Sequence, residues 1–397
     1  MGTSREPVRA ETPAAERSLD RYLLHPGEAR RGHRVEVYVA GGETYPAMLG
    51  AIRAAEREIL IETYIWADDA TGKEFVEALE ERAQKRLDVY ALIDGFGSLG
   101  LSESTRGRLR DAGVALAVFH PVRPWRRRWA WRVRDHRKLL VVDGTVAFTG
   151  GLNIANEYGP AAPSGRHWHD IHSRVTGPAV EDLRRHFFAA WRHATGKDVD
   201  QPALAREEPR PDRRDEARVQ VLGLGGLRDR RRIRRHYHFA VRQARRTVRI
   251  VAAYFVPDRG WRRLLKNAVR RGVDVRVMFA HESDVPAVRW AARATYGELL
   301  RTGVSVYEWL PSVLHAKVLS VDGVICAVGS YSLDRRSLLL NWEMSLLVGD
   351  DMTARTLERL FDTDLERCVA IDGATWARRG VLERLVERLF YALRRWL

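Results

Sequence analysis

The feature that most constrains this chain is a short pattern that occurs twice. Residues 135–143 read DHRKLLVVD and residues 314–322 read LHAKVLSVD, and each copy is followed by a glycine turn, a short apolar strand and a small-residue elbow, GGLN or GSYS. Alternate residues of a strand share a face, so His136 and Lys138 are predicted to point the same way, as are His315 and Lys317. A single such pair often arises by chance in a strand. Two copies with the same trailing turn and elbow indicate a duplicated site.

A histidine beside a lysine suits the chemistry of a phosphate ester. The imidazole nitrogen reaches phosphorus, while the ammonium group neutralises a non-bridging oxygen. Cleavage of a phosphodiester without a metal needs a nucleophile, a proton source for the leaving oxygen, and positive charge around phosphorus. The two His-Lys pairs together meet these needs.

The segments before each copy follow one plan. Apolar runs at 58–66, 87–93 and 114–119 alternate with helical segments near 45–57, 73–85 and 104–112, after a first strand at 34–39 that is expected to end at Gly41-Gly42. The second half repeats the plan, with strands at 248–255, 273–279 and 304–309, and Tyr64 and Tyr254 fall at matching points. This order predicts parallel pairing and helices packed on the sheets.

The repeat predicts an α/β fold of two pseudo-symmetric halves, each a mostly parallel or mixed sheet flanked by helices. Because each half carries one His-Lys pair, we expect the active site in the cleft between them. The predicted organisation is a polar N-terminal segment (1–32), a first half (33–200), a proline-containing linker (201–216), a second half (217–370) and an amphipathic C-terminal helix (371–397).

Each histidine also needs an acidic partner on its second ring nitrogen, to fix the tautomer and stabilise the imidazolium. The candidates are Asp170 and Glu343, which lie on strand-like segments after the pattern of their own half. The alternative is that both are surface charges.

The doubled pattern resembles that of the phospholipase D superfamily. More narrowly, residues 135–158 and 314–343, with YFVPD at 254–258, resemble bacterial cardiolipin synthases of the short type, without N-terminal membrane helices. The resemblance implies a ping-pong phosphatidyl transfer without cofactor, from phosphatidylglycerol or another phospholipid, through a phosphohistidine. We expect His136 to be the nucleophile and His315 the acid and base, although the pseudo-symmetry leaves the reverse assignment open.

The resemblance also implies roles for other residues of the pattern. Lys138, Lys317 and Asn153 are expected to hold phosphate oxygens, whereas Asp143 and Asp322 are expected to brace the catalytic site. Ser332 stands where the family usually has asparagine, and this shorter donor is expected to reach phosphate through water and to alter substrate choice. Gly151 stands where serine is common.

A formal net charge of +15 favours an anionic partner, either nucleic acid or a lipid surface. Two stretches favour lipid: residues 121–134, which hold three tryptophans and six arginines, and residues 381–397, which have an apolar stripe edged by arginines. A basic solvated loop and a helix docked on its own domain are the respective alternatives. We therefore expect an anionic phospholipid surface as partner, with nucleic acid disfavoured.

Other features of the sequence bear on where in the cell the protein acts and on whether it binds a metal. There is no apolar signal segment and no run long enough to span a bilayer, and the two cysteines are expected to be reduced. Among the histidines at 167, 169 and 172, alternation places the first two on one face and the third on the other. No cysteine or carboxylate cluster supports them, so no metal site is expected. The prediction is a peripheral enzyme on the cytoplasmic face of the bacterial cell membrane. A lipid hydrolase, a metal-independent nuclease and a non-enzymatic lipid-binding protein are the alternatives.

Overall fold

Aliphatic and β-branched runs form the strands of this protein, and amphipathic segments between them form its helices. The structure is a computed structural model, and it describes residues 19–122, 133–162, 165–199, 217–223 and 231–394. The predicted linker at 201–216 and most of the Trp- and Arg-rich stretch lie outside these residues. The chain ends of the predicted N- and C-terminal segments, residues 1–18 and 395–397, also lie outside them.

Among its described residues, the first half contains seven strands and four helices. In chain order these are β1 (Arg30–Val39), α1 (Ala40–Ala54), β2 (Glu58–Thr63), α2 (Ala70–Gln84), β3 (Asp88–Asp94), α3 (Glu103–Asp111), β4 (Ala115–Phe119), β5 (Leu139–Val142), β6 (Val146–Gly150), β7 (Ile171–Thr176) and α4 (Ala179–Thr195). Strands β2, β3 and β4 pair in parallel, whereas β5, β6, β7 and β1 add antiparallel pairs, so the sheet is mixed.

The second half repeats this order. Its elements are β8 (Ala217–Gly223), α5 (Arg232–Gln243), β9 (Thr247–Ala252), α6 (Arg259–Arg270), β10 (Asp274–Ala280), α7 (Pro286–Arg301), β11 (Ser305–Trp309), β12 (Lys317–Val321), β13 (Ile325–Gly329), α8 (Arg335–Leu339), β14 (Met344–Gly349), α9 (Asp351–Leu365), β15 (Cys368–Ala370), α10 (Gly373–Ala377) and α11 (Val381–Leu393). Parallel β9, β10 and β11 match β2, β3 and β4. The expected α/β halves with mixed sheets are confirmed.

The two sheets meet along β1 and β8 and pack against each other through a central core. Strand β1 pairs antiparallel with β8, for example Arg30 with Val219. The central core mixes residues of both halves, such as Leu60 and Val141 with Val318 and Leu346, all buried. Each half also has an outer core between its sheet and its helices. This arrangement places the ends of β5 and β12 that carry the histidines beside each other.

Helix α1 differs from the prediction. It begins at Ala40, so Gly41 and Gly42 lie inside the helix instead of ending the strand before it. A Cβ atom on Gly41 would lie 2.6 Å from the carbonyl oxygen of Tyr158, which shows that this glycine allows the helix to approach the segment that follows the elbow of the first half.

The N-terminal segment also contributes to the core. Tyr22 and Leu23 are buried in the outer core of the second half, although they belong to the segment predicted to be polar. At the other end of the chain, α11 packs on α7. None of the helices in the described part of the chain is both long and apolar enough to cross a membrane.

Candidate active site

Each histidine of the repeated pattern is held by the half to which it does not belong. The backbone N–H of His136 donates to the carbonyl of Trp342 (3.0 Å), and that of His315 donates to the carbonyl of His169 (2.7 Å). Short parallel bridges between Asp135 and Trp342 and between His169 and Leu314 fix these contacts. The two segments that carry the acidic residues therefore lie beside the opposite histidine.

The acidic partners are consequently crossed. Nδ1 of His136 lies 3.2 Å from a carboxylate oxygen of Glu343, and Nδ1 of His315 lies 2.6 Å from one of Asp170. Sequence analysis identified both acids but associated each with the pattern of its own half. Position along the chain does not reveal the crossing, because it arises from how the two sheets pack.

The lysines and a pair of tyrosines complete two equivalent sets. The Lys138 ammonium donates to the His136 carbonyl (2.6 Å), and the Lys317 ammonium lies 2.9 Å from Nδ1 of His315. The ring of Tyr64 lies 5.0 Å from that of His136 and 5.3 Å from the Lys138 ammonium. The ring of Tyr254 lies 5.8 Å from that of His315 and 5.6 Å from the Lys317 ammonium. Their matching positions in the repeat were the only sequence signal for these tyrosines.

Arg137, between His136 and Lys138, confirms the predicted alternation. Its fully buried guanidinium points away from the cleft and pairs with Glu62 and Asp135. The two flanking side chains therefore share the opposite face, as expected for a strand.

The two histidine-carboxylate pairs differ in charge. Burial raises the pKa of Glu343 to about 7, although nearby Lys138 opposes this rise. Burial also opposes ionisation of Asp170, but His315 and Lys317 outweigh it and leave the Asp170 pKa below its ordinary value. At neutral pH Asp170 is thus a full anion beside His315, whereas Glu343 is close to its midpoint.

Both histidines have lowered pKa values in the free protein. Burial, followed by the charges of Lys138 and Lys317, lowers the pKa of His136 well below its ordinary value, and the charge of His315 contributes to this shift. Burial and Lys317 also lower the pKa of His315, although Asp170 opposes the change. A neutral His136 has the free electron pair that a nucleophile requires.

A large cavity of about 1730 Å³ reaches His136. Tyr64, Tyr254, Ser332 and Asn341 also line it. His315 does not itself line the cavity. Its ring is enclosed by the rings of Tyr158, Trp168 and Tyr254. Ser332 is almost fully buried, and neither its Oγ nor Oδ1 of Asn341 has a hydrogen-bond partner. Both are therefore buried polar atoms left unpaired in the free protein, a state for which a substrate contact would account.

Asn153 and Gly151 of the first elbow support the site. Oδ1 of Asn153 accepts from the Ile65 N–H (3.1 Å) and Nδ2 donates to the Tyr158 hydroxyl (2.7 Å), so the expected phosphate contact would use its second amide hydrogen. A Cβ at Gly151 would lie 2.0 Å from Asp170 Oδ1, and this space requirement explains why serine is absent there. At the equivalent point of the second elbow, Ser330 donates to Glu343.

Asp143 and Asp322, expected to brace the catalytic site, lie instead in the turns at the far ends of β5 and β12. The Asp143 carboxylate accepts from the backbone N–H groups of residues 56, 57 and 58 at 2.8–2.9 Å. The Asp322 carboxylate accepts from those of residues 245, 246 and 247 at 2.7–2.8 Å. They therefore fix the loops that enter β2 and β9.

We expect Asp143→Ala to lower the free energy of unfolding by about 1–3 kcal/mol, because three amides would lose their acceptor. The kcat/KM of the folded protein should change far less. Thermal melting and initial rates measured on the same preparation test this, with Asp351→Ala on the exposed start of α9 as control. A large fall in kcat/KM at an unchanged melting temperature would place Asp143 in the chemistry.

The three histidines considered for a metal lie in different surroundings. His167 is exposed, His169 pairs with Asp364 (2.8 Å) and stacks on Trp309, and His172 is buried against Gly150. Within the described ranges, no group of three or more His, Cys, Asp or Glu side chains is placed to hold a metal ion.

Comparison with known proteins agrees with the doubled geometry. A family described as cardiolipin synthase, PLD-like domain, matches residues 48–189 and 239–365. The chain is 34% identical to a cardiolipin synthase of Halalkalibacterium halodurans over 353 residues, which cover 89% of this chain and 70% of the relative. It is also 34% identical to cardiolipin synthase A of Pseudomonas putida over 387 residues, covering 98% of this chain and 79% of the relative.

A solved structure shares the fold. The crystal structure of phosphatidylserine synthase from Haemophilus influenzae superposes with a TM-score of 0.65 at 16% identity, and 96% of each chain is covered. At that identity the likeness concerns the arrangement of strands and helices.

Proposed function

Because this chain belongs to the cardiolipin synthase family of phospholipase D-like enzymes, we propose that it transfers a phosphatidyl group from one phosphatidylglycerol to a second, releasing glycerol. The observation that carries the proposal is the joint site: two His-Lys sets from separate halves, each histidine held by a carboxylate of the other half.

In the first step, a ring nitrogen of His136 attacks the donor phosphorus. A phosphorus–nitrogen bond forms, the bond to the glycerol oxygen breaks, and His315 gives that oxygen a proton. Two observations support this assignment over the reverse one: His136 lines the cavity, and the ionised Asp170 beside His315 stabilises the protonated form of His315.

In the second step, the terminal hydroxyl of the acceptor lipid gives its proton to His315 and attacks the phosphohistidine. The phosphorus–nitrogen bond breaks, cardiolipin leaves, and both histidines return to their starting states. Lys138 and Lys317 neutralise the charge on the phosphate oxygens in both steps.

The cavity favours an anionic lipid both as the donor and as the acceptor of the phosphatidyl group. Its lining includes ten arginines and three aspartates. This excess of cationic groups, with the net charge of +15, supports an acidic phospholipid surface as the partner. We place the enzyme peripherally on the cytoplasmic face of the cell membrane, where its two free cysteines would stay reduced.

The function is tested by the products formed from labelled phosphatidylglycerol in detergent mixed micelles. Thin-layer chromatography should show labelled cardiolipin, with free glycerol released in equal amount. Phosphatidic acid formed without cardiolipin would show that water, not a second lipid, is the acceptor.

The rate should fall on the alkaline side of neutrality. Burial first, and then Lys317, lowers the pKa of Lys138 to about 7, and burial lowers that of Lys317 to about 8. A lysine with a lowered pKa loses its charge as the pH rises through that value, so kcat/KM should decline with an apparent pKa between 7 and 8. Lys138→Arg, which retains charge, should move the decline to higher pH. A kcat/KM that stays level to pH 9 would contradict this role for the lysines.

Ser332→Ala tests whether the unpartnered hydroxyl serves substrate. Since its Oγ has no partner in the free protein, the melting temperature should not fall. Loss of a hydrogen bond to a charged phosphate should lower kcat/KM about tenfold. Ser173→Ala is the control, because Ser173 is also buried with an unpartnered Oγ but does not line the cavity. An unchanged kcat/KM in Ser332→Ala would exclude the contact.

A further inference from the structure

Helix α11 is attached to the protein by its polar side. Glu387 is almost fully buried and accepts from Arg379 (2.6 Å), with Arg293 of α7 at 3.5 Å. One turn later, Arg262 of α6 donates to the Tyr391 hydroxyl (2.5 Å). These contacts fix the rotation of the helix about its axis.

The apolar side of α11 consequently faces outward. Its outer face consists of five aliphatic residues at helical spacing, each between 42 and 74% exposed: Val381, Leu382, Leu385, Leu389 and Leu393. An amphipathic helix normally buries such a stripe against its own core. Here the buried ion pairs hold the stripe away from the core, so it is available to a second apolar phase.

The position of α11 links this face to catalysis. Tyr391 and Arg394 at its end line the same cavity that reaches His136. Two further exposed apolar residues, Phe96 and Val285, line that cavity as well. Whatever covers the outer face therefore lies close to the cavity mouth.

Charge indicates which partner covers it. Arg384 and Arg388 flank the apolar residues, and the whole chain carries a net charge of +15. A second copy of the chain would bring like charges together, whereas an anionic bilayer offers both opposite charge and an apolar interior.

We propose that the outer face of α11 inserts into the headgroup and acyl boundary of an anionic bilayer and holds the cavity mouth against it. This inference rests on the proposed function, since it explains how a lipid substrate passes from the bilayer to His136. It adds a docking surface that is separate from the catalytic residues.

Co-sedimentation with vesicles of phosphatidylglycerol and phosphatidylcholine tests the proposal. Leu385→Ser with Leu389→Ser should weaken vesicle binding by about tenfold or more, because two side chains no longer enter the apolar phase. Both positions are exposed, so the melting temperature should stay close to that of the wild type. The matched control is Met352→Ser with Val369→Ser, which removes two exposed apolar side chains elsewhere and should leave binding unchanged.

A gain-of-binding variant separates insertion from damage to the fold. Leu389→Trp should tighten vesicle binding, since tryptophan favours the interface, and an unfolded helix would not show this gain. Vesicle binding by the double serine variant equal to the wild type would overturn the proposal. A wild-type dimer that the double variant converts to monomer, with unchanged vesicle binding, would also overturn it and assign the face to a second copy.

The experiments distinguish a failure of the docking surface from a failure of the proposed transfer reaction. If wild-type protein forms no cardiolipin in mixed micelles but its vesicle binding depends on the outer face, the docking surface stands and the transfer reaction does not.

Discussion

Replacing His136 or His315 by alanine is expected to reduce cardiolipin formation by about ten-thousandfold or more, and replacing both should cost little beyond either one alone. Both histidines act in the same transfer, in each of its two steps, so their effects are not additive. The measurement is the initial rate of labelled cardiolipin formation from phosphatidylglycerol in mixed micelles.

His281→Ala is the matched control for these variants. His281 also pairs with a carboxylate, that of Glu308 at 2.8 Å, but it does not line the cavity that reaches His136. Its removal should change the rate less than threefold, on the order expected for a group outside the site. A His136 variant that retains more than a small fraction of wild-type activity would require a different nucleophile.

The second large effect is expected from the crossed acids. Asp170→Asn should reduce cardiolipin formation by about a hundredfold to ten-thousandfold, because it removes the anion that stabilises protonated His315. Glu343→Gln should cost less, about tenfold, since Glu343 is near its midpoint at neutral pH and the amide retains an acceptor for His136.

A phosphatidyl ester of p-nitrophenol separates the two acids. Its leaving group departs without a proton, so the first step needs His136 but not His315. Asp170→Asn should therefore keep the burst of p-nitrophenol, while Glu343→Gln should slow it. If each acid served the histidine of its own half, Asp170→Asn would slow the burst and Glu343→Gln would not.

Much of this site could be predicted from the sequence because strand periodicity and repetition are local signals. The pairs His136-Lys138 and His315-Lys317, the mixed α/β halves and the two acids all follow from such signals. Which acid serves which histidine could not be predicted from these local signals, because β-bridges between segments far apart in the chain determine it.

Other differences have the same origin in tertiary contacts. Asp143 and Asp322 share the catalytic pattern, yet the short strand after each histidine carries them to its far end, where they bind loop amides. Gly41 is predicted from the sequence to end a strand, but it lies inside α1, where the close approach of Tyr158 requires a glycine. The apolar stripe of α11 was visible in the sequence, whereas its outward orientation depends on the buried Glu387.

The measurement closest to the central claim is the position of the covalent intermediate. Incubation of His315→Ala with the labelled p-nitrophenyl ester, followed by rapid quenching, should leave an acid-labile label on the peptide that contains His136. The label accumulates because no base remains to activate the acceptor. A label on any other residue, or a p-nitrophenol burst without protein-bound label, would contradict a phosphatidyl transfer through His136.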